Sequence, residues 1–216
     1  MADIVQLSGP DLAAMLCSRV CHDLISPVGA IGNGLEVLSD PDQAEMADFA
    51  QELINNSAKQ ARAKLEFARL AFGASSTQGT EIDTRDAEKV ALGYMDGEKA
   101  DIEWNIDPVL LPKNKVKLLL NMVLLAAGAV PRGGNIVVSL DDAAPEDQGF
   151  KIRATGPKTF IPRGNVALLN GVPEDGRVDA QVIQPFYTGL LARESGLKIR
   201  LELVDEAVEF DAYAAK

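Results

Sequence analysis

The sequence predicts an α+β protein in two parts: an N-terminal two-helix hairpin that dimerises into a four-helix bundle, then a C-terminal two-layer α/β sandwich. Three observations lead there. Apolar residues recur at helical spacing between Asp11 and Phe72, a small glycine-rich stretch follows at Gly73–Thr80, and beyond it helical and alternating patterns intermingle. At 216 residues the chain is long enough for a sizeable core in one large or two small domains, and the glycine-rich stretch divides it into 1–74 and 80–216.

In the first helix Leu16, Val20, Leu24, Val28, Ile31, Leu35 and Leu38 follow steps of four and three, and the pattern stops at Ser39-Asp40-Pro41-Asp42. In the second, Ile54, Ala58, Ala61, Leu65, Ala68 and Phe72 alternate steps of four and three, the narrow stripe of a bundle seam, and Gly73 ends it. One hairpin has nothing to bury that seam against, which is why a dimer is expected. The second part reads as helix Thr84–Met95, strand Asp101–Ile106, helix Lys113–Ala129, strands Asn135–Leu140 and Phe150–Ala154, helix Asp179–Glu194, and strands Leu197–Val204 and Ala207–Tyr213. Helices segregated from a mostly antiparallel sheet make the sandwich.

Composition excludes several functions. With 32 acidic against 21 basic residues the net charge is −11, so no nucleic-acid footprint is expected. No apolar run approaches the ~20 residues of a membrane span, and the acidic start MADIVQLSGPD does not read as a secretory signal. A cytoplasmic protein without membrane contact is expected. The two cysteines, Cys17 and Cys21, lie four apart on one helix and read as packing residues flanking the seam, not as a disulfide or a metal site. The one histidine, His22, cannot belong to a multi-histidine metal centre.

His22 lies two residues from both Val20 and Leu24, about 200° round the helix from each, so it points away from the hairpin core. Asp23 follows it, placed to accept a hydrogen bond from one ring nitrogen, to fix the tautomer and to stabilise the cation formed when the other nitrogen attacks. Pro27 deprives the Asp23 carbonyl of its helical donor and favours a kink just beside the histidine. Trp104 reads as sheet packing, and Asn121 as a helix-surface or capping hydrogen-bonder.

The run His22-Asp-Leu-Ile-Ser-Pro27-Val-Gly-Ala-Ile31 resembles the H-box of histidine-kinase dimerisation domains, His-Glu-Leu-x-Thr-Pro-Leu-x-x-Ile. The resemblance implies that His22 carries a phosphoryl group, that Asp23 assists transfer and that Ser26 can position a hydrolytic water. It recurs from Asn121 to Ile136, which aligns with the kinases' Asn-Leu-x-x-Asn-Ala-x-Lys-x-Thr-Pro-x-Gly-Gly-x-Ile. There the asparagine that would hold Mg²⁺ is Leu125, and the lysine near the phosphates is Gly128. Where kinases carry Asp-x-Gly-x-Gly, the adenine-reading aspartate is Ala154 and the second glycine is Lys158. No Gly-x-Gly-Leu lid occurs, and Gln184-Pro-Phe-Tyr-Thr-Gly189 stands in its region. A degenerate kinase ATPase-like domain that holds no cofactor is expected.

An intact phosphorylatable helix beside a degenerate ATPase domain is similar to the ChpT-type histidine phosphotransferases of alphaproteobacteria. The strongest stretches are Leu16–Ile31, Leu65–Ser75, Lys113–Asn121 and Ile183–Glu194. The resemblance implies a homodimer that accepts a phosphoryl group on His22 from the receiver domain of a CckA-like hybrid histidine kinase. It further implies delivery to CtrA-like and CpdR-like response regulators in a cell-cycle phosphorelay, with Mg²⁺ on the receiver and not on this chain. The helical neighbours Ser18, Arg19, Ile25 and Ser26 form the expected docking surface. On the second helix Lys59, Arg62 and Arg69 make a basic stripe interrupted by Glu66; Arg62 and Arg69 are candidates to touch a receiver, and a solvated flank is the alternative. The competing function is a dimeric scaffold or antagonist that binds a kinase or receiver without turnover.

Overall fold

Ser8 opens the first helix, its hydroxyl accepting from the Asp11 amide at 3.2 Å, with Pro10 in the first turn where a missing N–H costs nothing. In this computed structural model, which describes residues 4–73, 81–141 and 148–214, α1 spans Gly9–Ser39 and continues through Pro27 without a break. Pro41–Met46, expected as a turn, forms a 3₁₀ helix capped by Asp40, and α2 (Ala47–Ala71) runs back along α1. Close packing there depends on Gly34: a Cβ at that position would lie 2.6 Å from the Ile54 side chain and 3.1 Å from the Ala50 carbonyl.

The linker expected at Gly73–Thr80 lies outside the described residues over 74–80. Next come β1 (Glu81–Asp83), α3 (Thr84–Met95), β2 (Ala100–Asn105), β3 (Leu110–Pro112) and α4 (Lys113–Ala129). Then follow β4 (Gly134–Leu140), β5 (Phe150–Thr155), α5 (Asn165–Leu169), α6 (Ile183–Glu194), β6 (Leu197–Val204) and β7 (Ala207–Ala214). The main sheet has the order β2-β4-β5-β7-β6, parallel only between β2 and β4, and β1 and β3 form a separate antiparallel pair. Gly133 and Gly134, at φ of 92° and 149°, bring the chain from α4 into β4 where side chains would strike the Lys99 and Thr155 carbonyls. β6 and β7 are joined by a two-residue turn, Asp205-Glu206, both at positive φ as a type I′ hairpin requires.

One face of the sheet is covered by helices. α4 buries Val116 and every residue from Leu118 to Ala126, packing on β4, β5 and β7, while α6 lies over β6. The strands alternate accordingly, with Ile136, Val138, Ile152, Ala154, Val208 and Phe210 inward. Trp104 packs at the edge of this core as expected, its indole N–H buried without a partner.

The end of the hairpin enters the same core. Phe67 and Ala71 of α2 are fully buried against the second part, so the end of α2 is covered there by α3 and α4. Asn121 corrects the reading of a surface hydrogen-bonder. It is wholly buried, its Nδ2 donates to the Ala71 carbonyl at 3.2 Å and the Lys117 carbonyl at 2.7 Å, and its Oδ1 accepts from Gln184 Nε2 at 2.6 Å. The capping half of that reading holds, because Ala71 ends α2. Val5 adds a further tie, its amide donating to the Gly171 carbonyl at 2.9 Å. Along the rest of the hairpin several apolar side chains stay open to solvent: Val28 is 56% exposed, Leu65 51%, and Leu35 and Phe49 are similar.

Candidate functional site

The register of the hairpin puts the His22 turn of α1 beside the last turns of α2, where Val20, Asp23 and Leu24 share a narrow cleft with Lys64, Phe67 and Ala68. The periodicity that buries Pro27 and half-buries Val20 and Leu24 leaves His22 outside, with its side chain 81% exposed. Asp23, one residue on, turns inward to 17% exposure. One of its oxygens stands 3.5 Å from His22 Nδ1, the outer limit of hydrogen bonding, and the other accepts from Arg19 Nε at 3.2 Å. The imidazole therefore meets the carboxylate on its Nδ1 side and presents Nε2 to solvent.

Of the expected docking residues, Ser18, Ile25 and Ser26 are exposed on α1 around His22. Arg19 is three-quarters buried and turned to Asp23. Arg62 is 77% exposed with only a 3.6 Å contact to Glu66, and Arg69 is exposed on the last turn of α2. Lys59 instead reaches Asp96 beyond α3 at 2.7 Å.

The cysteines correct an expectation: Cys17 and Cys21 are both free and exposed, not packed. The hairpin packs through the neighbouring Leu16, Val20 and Leu24, which rotates both thiols to the open side of α1. The Cys17 thiol beside it pushes the Cys21 thiol above its ordinary value. Among the described residues no three His, Cys, Asp or Glu side chains gather as a metal site, and no helix is long and apolar enough to cross a membrane.

Tyr94 of α3 has no precursor in the sequence reading. Its ring packs on Phe67 with centroids 4.6 Å apart, the Lys64 ammonium lies 5.5 Å from its centroid, and it lines the same cleft as Asp23. Burial, with the Asp23 charge nearby, pushes the phenol up to about 12. The hydroxyl stays protonated at neutral pH.

Of the four positions that the resemblance to kinases aligns with nucleotide handling, two are in the core and two at the surface. Leu125 and Ala154 are buried in the core, and Gly128 and Lys158 are exposed.

Comparison with known proteins agrees with this arrangement. Residues 84–207 match the family model "Histidine phosphotransferase C-terminal domain". The chain is 48% identical to Protein phosphotransferase ChpT of Brucella abortus (strain 2308) over 208 residues, 96% of this chain and 98% of that one. A solved bacterial phosphotransferase superposes with a TM-score of 0.88 at 46% identity, covering 97% of this chain and all of the other.

Proposed function

Because this chain belongs to the ChpT family of histidine phosphotransferases, we propose that His22 is the residue that takes up the phosphoryl group. The chain is a protein phosphotransferase of a phosphorelay. The observation that carries the assignment of His22 is its geometry: the one histidine in the chain stands out from α1 with Asp23 on its Nδ1 side and Nε2 free.

In the forward half-reaction Nε2 attacks the phosphorus of a receiver's aspartyl phosphate, the P–O bond to the aspartate breaks, and a P–N bond forms. The ring gains positive charge, which the Asp23 carboxylate at 3.5 Å offsets. The reverse attack by a second receiver's aspartate restores neutral His22. Mg²⁺ on the receiver supplies the charge stabilisation at the phosphoryl group, so this chain contributes position, worth several kcal/mol when an encounter becomes effectively unimolecular. Ser26, exposed one turn on, is placed to orient a hydrolytic water.

Ser18, Ile25 and Ser26 of α1, with Arg62 and Arg69 of α2, form the docking face, Arg19 lending its charge from beneath. The basic groups counter a net charge of −11 where an acidic receiver pocket would approach. The exposed apolar side chains Val28, Leu35, Phe49 and Leu65 of the hairpin support a homodimer through a four-helix bundle. The apolar burial of Leu125 and Ala154 supports a second part that does not use ATP. The partners this reading implies are a CckA-like hybrid kinase receiver upstream and CtrA-like and CpdR-like regulators downstream, in a cell-cycle relay within the cytoplasm.

The test is transfer from a prephosphorylated hybrid-kinase receiver to wild-type and His22→Ala protein, beside a lane with ATP alone. Acid-labile label on the wild type only, absent with ATP alone, is expected. Binding without label on either protein would favour a scaffold.

A further inference from the structure

Two arginine–carboxylate pairs at i, i+4 spacing stand in the hairpin, and they are unlike. Arg62 and Glu66 lie 3.6 Å apart with side chains 77% and 47% exposed, the kind of solvated pair that contributes little. Arg19 and Asp23 meet at 3.2 Å with side chains only 27% and 17% exposed, so water and salt screen them far less. The two oxygens of Asp23 face different partners: Oδ2 accepts from Arg19 Nε, and Oδ1 stands 3.5 Å from His22 Nδ1. That second contact, at the limit of hydrogen bonding, is too long to hold a carboxylate that can otherwise rotate about its own side-chain bonds. Lys64 shares the cleft with Asp23, but its ammonium is paired with Glu98 at 3.2 Å. Among the described residues, Arg19 is the cation that fixes which way Asp23 points.

We propose that Arg19 is a positioning residue for phosphoryl transfer: by binding one oxygen of Asp23 it turns the other toward His22 Nδ1, so that the ring keeps its proton there and offers Nε2 as the nucleophile. This rests on His22 as the acceptor and adds a residue that does not itself meet the phosphoryl group. An unassisted imidazole prefers its proton on Nε2, the nitrogen that must be free to attack, so the bias toward Nδ1–H has to come from a correctly aimed carboxylate. The same geometry sets Arg19 apart from the docking arginines. Its side chain is turned toward Asp23 and largely covered, whereas Arg62 and Arg69 stand open to an incoming receiver.

Because His22 is the one histidine, the imidazole ¹⁵N shifts of the intact labelled protein, at a mildly alkaline pH where an imidazole is neutral, report its tautomer without assignment ambiguity. Wild type is expected to be mainly Nδ1–H; a ring that is mainly Nε2–H overturns the proposal before any variant is made. Arg19→Met keeps a long apolar stem and removes the donor and its charge. Its tautomer ratio is expected to move toward Nε2–H. Its transfer rate from a saturating phosphorylated receiver should fall about three- to tenfold, the scale of one hydrogen bond, and by more than any change in KM. Arg19→Gln, a milder change, carries the same expectation should Arg19→Met melt early, and Arg19→Lys, which keeps the charge without the planar fork, should recover part of the loss. In an Asp23→Asn background Arg19→Met should move the ratio no further, because it acts through that carboxylate. An unchanged ratio in the Met and Gln variants, or a loss confined to KM, overturns the proposal and makes Arg19 a docking cation. Failure of wild type to accept label would instead remove His22 as the acceptor, a result on which the ¹⁵N ratio does not depend.

Discussion

α1 and α4 are both long helices, and they divide the labour of the molecule. Over 31 residues α1 fully buries only Pro27 and Gly34, whereas α4, at 17 residues, buries Val116 and all of Leu118–Ala126. The helix that carries His22 packs along α2 yet leaves the imidazole to solvent, whereas α4 is core. Function on α1 and stability on α4 should therefore separate under mutation.

The sharpest separation is at His22. His22→Ala should reduce phosphoryl acceptance to background while leaving thermal stability within about 0.5 kcal/mol, because the side chain is exposed; acid-labile label and a melting curve on one preparation read both. The converse is Leu119→Ala, wholly buried on α4, which should cost about 2–5 kcal/mol by denaturant titration while the transfer rate per folded molecule holds. Asn121→Ala tests the join between the two regions. It strips the Ala71 carbonyl and Gln184 of a buried partner and should cost about 1–3 kcal/mol, with amide exchange quickening first at the end of α2.

Smaller effects sharpen the same contrast. Arg62→Glu should slow transfer a few-fold without altering stability, an effect that fades as salt is raised; unchanged transfer at low salt would leave Arg62 as a solvated flank. The smallest is alkaline. Tyr94 holds its proton to about 12 in the folded chain against 10 unfolded, so the folded state binds more protons in that window and stability falls as pH rises from 10 toward 12. Tyr94→Phe should flatten part of that slope in equilibrium unfolding across the range.

Much of this was legible from sequence where signals are local. Thr84–Met95 and Lys113–Ala129 read as helices from their local pattern, and both have the expected ends. α6 begins at Ile183 and not at Asp179, because the Asp179 side chain accepts from the Gln181 and Val182 amides and makes a turn ahead of the helix. The strands Glu81–Asp83 and Leu110–Pro112 are too short to show alternation, and their pairing is a tertiary fact. The exposure of His22 followed from rotation about one helix, as did the position of Asp23. Placing the cysteines needed the side of α1 that meets α2, and the burial of Asn121 needed the meeting of α2, α4 and α6. The place of Tyr94 beside Asp23 was beyond reach because the two meet only when α3 packs against the hairpin.

The central claim, that this chain passes a phosphoryl group through His22 on α1 with no help from ATP, is tested most directly by a quenched pulse–chase. A labelled receiver is mixed with the chain, a second receiver is added, and label is followed on all three proteins. The account expects label to appear on the wild-type chain, decay as the second receiver gains it, and never arise from ATP alone. Equal labelling of the second receiver with the His22→Ala chain, or label taken from ATP, would contradict it.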